Sequence, residues 1–290
     1  MAIELCVLAS GSAGNCTVVR TPNGVMLVDA GIGPRVAAAR LAGTGVSVAD
    51  VSAVCLTHLD RDHFSGNWVR TIARRGVRVY CHARRVADLL RFASGPDTPA
   101  DDAATFASLV TGFDDQPFQP LPGVSVRPLA FAHDREGSHG FLIDGFGRRV
   151  GWATDLGHVP AGLLETFCGL DVLAIESNYD PQMQQDSPRP WFLKQRITGG
   201  RGHLSNQQAF DAVRQVLDRC QRRGLPLPEH VVLLHRSREC NCPDLLRDLF
   251  ARDARIAPRL TLAEQHARTE WIRPRDANPL AGEQLRLAWG

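Results

Sequence analysis

The stretch "THLDRDH" (57–63) puts two imidazoles and two carboxylates into seven residues, directly after the apolar run Ala53-Val54-Cys55-Leu56. Those side chains in one irregular loop are the donor set of a divalent transition metal, which can activate water for hydrolysis. The same pattern recurs along the chain. "VMLVD" ends in Asp29, "AVCLTH" in His58, "VRPLAFAH" in His133, "VGWATD" in Asp155, "VLAIE" in Glu176 and "VVLLH" in His235. One polar residue closing an apolar strand is ordinary. The recurrence points to a site beyond the strand ends, where sheets with helical crossovers bind ligands.

A second group surrounds His203 in "GRGHLSNQQAF". Ser205 and Gln208 have the spacing of a capping box, which places a helix start near Asn206. The free N–H groups of that helix end suit a phosphate, with Ser205 beside it. His203 is positioned to contact a phosphate oxygen or to protonate a leaving oxygen. The motif alone fits a structural histidine in a glycine-rich turn equally well. Lys194, Arg196 and Arg201 flank the block and can steer a nucleic-acid backbone or form a solvated basic face. "SGSAGN" (10–15) reads as an anion-approaching loop, a support beneath a metal loop, or a plain tight turn. "CNC" (240–242) lacks the four ligands of structural zinc, so Cys240 and Cys242 read as incidental. His82, His139, His158, His230 and His266 have no constellation around them.

These residues need strands that stop together. Short apolar runs predict strands at 3–9, 16–20, 25–29, 53–57, 77–81, 124–132, 140–144, 149–154, 171–176 and 230–234. Amphipathic stretches predict helices at 34–42, 65–75, 83–92, 159–168, 188–195, 205–223 and 243–251, the second capped by Ser65. Tight turns such as "TPNG" (21–24) pair the early strands antiparallel, and later strands alternate with helices. The result is an α/β protein with mixed sheets covered by helices. The Pro-, Gly- and Asp-rich stretch 93–122 reads as a lid or insertion. Residues 271–290 read as a tail or a closing edge piece behind a single domain of 1–270.

Composition excludes extremes. The chain has 290 residues, 44% hydrophobic and 22% charged, with a net charge of +2, so no polyelectrolyte character stands out. Lys194 is the only lysine. No apolar run approaches the length of a membrane span. The eight cysteines are scattered, several inside apolar runs, and the first residues lack a secretory pattern. The expectation is a cytoplasmic setting with unpaired thiols.

With these residues in view, "THLDRDH" resembles the metallo-β-lactamase superfamily loop THxHxDH, with Asp60 where histidine is usual. His133, "ATDLG" with Asp155, and His235 follow in that superfamily's order. "LASGSAGNCTVV" (8–19), "ESNYD" (176–180), "PWFLKQRITGGRGHLSN" (190–206) and "LLHRSRECN" (233–241) resemble its YycJ/WalJ-type branch of metal-dependent DNA exonucleases and related phosphodiesterases. The resemblance runs from about residue 5 to about residue 250. It implies an αββα four-layer sandwich with two mixed sheets and a site for two divalent metal ions, whether zinc, manganese or iron. One ion would be held by His58, Asp60 and His133. The other would be held by Asp62, His63 and His235, with Asp155 shared between them. Asp62, Asp155 and His203 would carry the catalysis. The implied partner is a nucleic acid, DNA first, with no membrane.

Asp60 makes the first position a harder donor set, favouring manganese or iron over zinc. Alternatives stay open: a small-molecule phosphodiesterase, thioesterase or lactonase on the same fold, compatible with the modest net charge and a lid at 93–122, a diiron redox protein using Asp60, or an inactive metal-binding homologue with a substituted site.

Overall fold

The computed structural model describes residues 2–275. Early in the chain, β1 (Glu4–Ala9), β2 (Cys16–Thr21) and β3 (Gly24–Val28) form an antiparallel meander. After α1 (Pro34–Leu41), β4 (Val51–Cys55) joins β3 in parallel. Helix α2 (Asn67–Arg75) leads to β5 (Arg78–His82), and α3 (Val86–Ala93) and α4 (Ala100–Leu109) lead to β6 (Val110–Phe113). The six-stranded sheet runs β1-β2-β3-β4-β5-β6.

The second sheet starts with an antiparallel set: β7 (Phe118–Leu121), β8 (Val124–Phe131), β9 (Ser138–Gly145) and β10 (Arg148–Ala153). Then α5 (Ala161–Thr166), β11 (Val172–Glu176), α6 (Pro181–Asp186), α7 (Trp191–Thr198), α8 (Asn206–Arg222), β12 (His230–Leu234), α9 (Pro243–Ala251) and β13 (Leu260–Leu262) follow. β10, β11, β12 and β13 are parallel neighbours, and the seven-stranded order is β13-β12-β11-β10-β9-β8-β7.

Alternation along the strands builds the four layers. On β11, Val172 and Ala174 face the other sheet, meeting Val28, Cys55 and Tyr80. Leu173 and Ile175 face outward against Phe167, Val213, Leu217 and Phe250 of the covering helices. On the opposite outer face Leu27, Val54 and Val79 pack on Trp68, Ile72, Leu89 and Phe106. Three apolar cores between four layers define the αββα sandwich. The parallel strands are buried on both faces, as expected for strands flanked by helices.

The structure corrects parts of the sequence reading. The 93–122 stretch, expected as a lid or insertion without elements of its own, carries regular structure. It holds α4 and supplies the edge strand of each sheet, β6 and β7, and none of its residues lines the cavity described below. Its polar composition fits short, half-exposed edge elements. Ser65 does not cap α2. Gly66 takes that place in helical geometry, without a side-chain bond, and the Ser65 N–H goes to the Ala30 carbonyl. The end of the chain is partly a closing edge piece, with Ile272 bridging antiparallel to Leu5 on β1. The rest of the expected tail, 276–290, lies outside the described residues. Among the described residues no helix is long and apolar enough to cross a membrane.

Candidate metal centre

β4 releases the chain at Cys55, and Asp29, at the end of neighbouring β3, catches it. Asp29 is buried and accepts from the Thr57 N–H (2.9 Å) and hydroxyl (3.0 Å), while its other oxygen lies 2.7 Å from His63 Nδ1. The loop closes on itself through His63 N–H to the Asp60 carbonyl, 2.8 Å. The "SGSAGN" loop supports it from below. The Asn15 N–H donates to the Asp62 carbonyl, the Asn15 amide touches the Asp62 carboxylate, and Ser10 accepts the His235 N–H. A β-carbon at Gly31 would fall 1.7 Å from the Asp62 carbonyl oxygen, so only glycine permits this approach.

The other strand ends converge there. Asp29, Asp155 and His235 all have left-handed backbones (φ 60°, 52° and 50°), which turn the chain sharply out of the sheets. The donor atoms of His58, Asp60 and His133 lie within 4.8 Å of one another, as do those of Asp62, His63 and His235. Asp155 lies between, 3.1 Å from His63 Nε2, 3.2 Å from His235 Nδ1 and 3.9 Å from His133 Nε2. The seven residues named from sequence are therefore brought together. Asp60 stands at the rim, with 53% of its side chain exposed.

The second nitrogens of the imidazoles test whether this set fits a metal. Nδ1 of His63 meets Asp29, that of His133 donates to the Gly202 carbonyl (2.8 Å), and that of His235 meets Glu176 (3.1 Å). His58 Nδ1 lies 3.0 Å from the Thr57 hydroxyl. His58 and His133 thus keep Nε2 for the cluster, the outer-partner arrangement of metal-bound histidines, while His63 Nε2 also meets the Asn15 amide at 2.9 Å and His235 Nδ1 also faces Asp155. The donor set fits divalent metal binding.

Burial would push the Asp155 carboxyl up, but the imidazoles of His235 and His63 outweigh it and hold it well below the usual carboxylate range. Conversely, burial alone would depress His235, yet Asp155, Asp62 and Glu176 raise it to about 10. His58 is lowered by burial and by His63.

His203 also arrives at the cluster. Its Nδ1 is 2.6 Å from Glu176 Oε1 and 3.5 Å from Asp155 Oδ1, and its ring lines a cavity of about 440 Å³ together with the metal-site residues. Glu176 is fully buried. It serves His203 and His235 with one oxygen and the Leu156 and Leu204 N–H groups with the other. Glu176 and Asp29 were visible as strand-end acids, yet sequence assigned neither a role. Asn15 had only its loop as a signal.

The remaining site expectations fare differently. The Ser205 and Gln208 capping box is present, but it commits the Ser205 hydroxyl to Gln208, and the Asn206 N–H goes to the Tyr179 carbonyl. No residue of α8 lines the cavity. Lys194 turns away to the Gln185 carbonyl. Arg201 borders an adjacent groove rather than the cavity. His139 stacks on His82 at 4.5 Å in a separate hollow.

Two mixed sheets under helices, with a His/Asp cluster beyond their strand ends, define a metallo-β-lactamase-fold hydrolase. The chain belongs to the family described as the beta-lactamase superfamily domain, whose pattern matches residues 25–235. It is 28% identical over 249 residues to exodeoxyribonuclease YycJ of Bacillus anthracis, covering 85% of this chain and 87% of that protein. It is 26% identical over 245 residues to exodeoxyribonuclease WalJ of Streptococcus pneumoniae D39, covering 82% and 83%. These likenesses support the YycJ/WalJ-type branch. Among solved structures it resembles the metallo-β-lactamase fold protein YhfI from Bacillus subtilis, with a TM-score of 0.65 at 15% identity, covering 93% of this chain and 100% of that one.

Proposed function

We propose that this hydrolase cleaves phosphodiester bonds in nucleic acid, with DNA as substrate and exonucleolytic action, as the names of its relatives suggest. The observation that carries the reading is the buried Glu176 behind His203. An alkoxide leaving from a sugar needs a proton, whereas a thiolate leaving from a thioester does not. Glu176 orients His203 through its Nδ1, which leaves the opposite nitrogen to pass a proton to the leaving oxygen.

His58, Asp60 and His133 would hold one cation and Asp62, His63 and His235 another, with Asp155 shared. Bound divalent cations supply a polarised water and offset phosphate charge. Asp29 and Glu176 fix the rings that hold them. Arg189 and Arg196 line the cavity and suit a phosphate oxygen.

The test is His203→Ala on two substrates. DNA turnover should fall about 10²- to 10⁴-fold. A diester with a p-nitrophenolate leaving group, which departs without a proton, should be spared. Equal losses on both, or on neither, would sink the assignment. The cavity volume of about 440 Å³ also suits a small phosphodiester. A wild-type enzyme that turns over small diesters but no DNA would favour that second reading.

A further inference from the structure

We infer that α7 is a strand-gripping helix whose Trp191 and Phe192 stack on unpaired bases of a single strand as its end enters the metal centre. The inference rests on the nucleic-acid reading above and names the form of the substrate.

Trp191 and Phe192 are consecutive, and 72% and 74% of their surfaces are exposed. Two adjacent bare aromatics on one short helix are unusual, because such rings normally bury most of their area. Their place is specific. Leu193, Arg196 and Ile197 of the same helix line the cavity that holds the cluster. Phe192 is one turn before Arg196, which lines the cavity, and Trp191 is one turn before Gln195, which lines the shallow groove beside it, so each aromatic shares a helix face with one of the two. A turn rises about 5.4 Å, so the rings lie within a nucleotide or two of the entrance.

Charge selects the occupant. Arg189, Arg196 and Arg201 all fall within residues 187–203, a stretch with no Asp or Glu. Arg135, Arg196 and Arg201 line a shallow groove that shares Asp134 and Arg196 with the cavity. The ion pairs there, Arg196 with Asp134 and Arg189 with Glu239, are surface pairs that a phosphate can displace. Aromatic faces beside a cationic track are the combination by which proteins hold single strands, with bases on the rings and phosphates on the arginines. An apolar peptide would not call for the arginine groove. The cavity has the volume of a small ligand, so a duplex end must yield unpaired nucleotides to reach it.

The experiment measures binding of the metal-loaded full chain to phosphorothioate-linked oligothymidylate and to an abasic strand of equal length, by fluorescence anisotropy. Both aromatics are exposed, so Trp191→Ala/Phe192→Ala leaves the fold and the turnover of a small chromogenic diester unchanged. Wild type should prefer the base-bearing strand about 10-fold or more, and the double variant should bind both strands alike. A preference that survives in the variant, or is missing in wild type, overturns the proposal even if wild type degrades DNA. The base preference with its loss in the variant, but no DNA cleavage with manganese, zinc or iron, supports the gripping helix and removes the nuclease reading. A variant that changes only self-association in sedimentation gives this face to a second copy and overturns the proposal.

Discussion

The inner and outer halves of the metal cluster are built from similar side chains but supported differently. Inside, His63 and His235 are fully buried and each has a buried carboxylate, Asp29 or Glu176, on its second nitrogen. Outside, His58 and His133 rest on a threonine hydroxyl and a backbone carbonyl, and Asp60 is half in solvent. A carboxylate partner raises the basicity of a ligating imidazole and locks its orientation, and a neutral oxygen does so less. For the metal binding proposed above, the inner half would be the anchor and the outer half the adjustable position. The aspartate in place of the usual histidine falls on the adjustable side.

The largest effect should come from breaking the anchor. His63→Ala removes a ring gripped by Asp29, and metal-dependent turnover should fall by more than the roughly 100-fold expected for an outer partner. A variant with near-normal activity would dissolve the distinction. Next, Glu176→Gln should weaken the tightest metal equivalent about 10- to 100-fold in a chelator competition and change the weaker equivalent less. The reverse order would exchange the halves. Smaller again, Asp60→Ala should retain one tight metal equivalent and lose affinity for the other, read by metal analysis after dialysis. Simultaneous loss of both would show a single inseparable site. Smallest, Ser205→Ala should cost about 1 kcal/mol of stability through the lost helix cap, with kcat and KM on DNA unchanged. A raised KM would return Ser205 to the binding surface.

Much of the centre was legible because its residues end apolar strands. Register and topology do the rest, since β3, β4, β10, β11 and β12 all stop at one edge. Glu176 and Asp29 were harder to read. Each orients another side chain's far nitrogen, a relation that leaves no spacing in the sequence. The edge strands β6 and β13 escaped because four and three residues carry too little alternation. α4 escaped because only Phe106 of its ten residues is buried, so it shows no apolar stripe. The capping box at Ser205 was read correctly as structure, and that structural duty is why the hydroxyl is spent.

The left-handed backbones at Asp29, Asp155 and His235 set the protein's mutational economy. Such conformations cost on the order of 1–3 kcal/mol each in a residue with a side chain, and glycine would relieve them. Glycine at position 29 would relieve that strain but also strip the buried acceptor from Thr57 and His63, so strain relief and lost hydrogen bonds oppose each other at this corner. Engineering this scaffold for stability calls for a simultaneous selection for turnover, with these corners held fixed and gains sought in the helical layers.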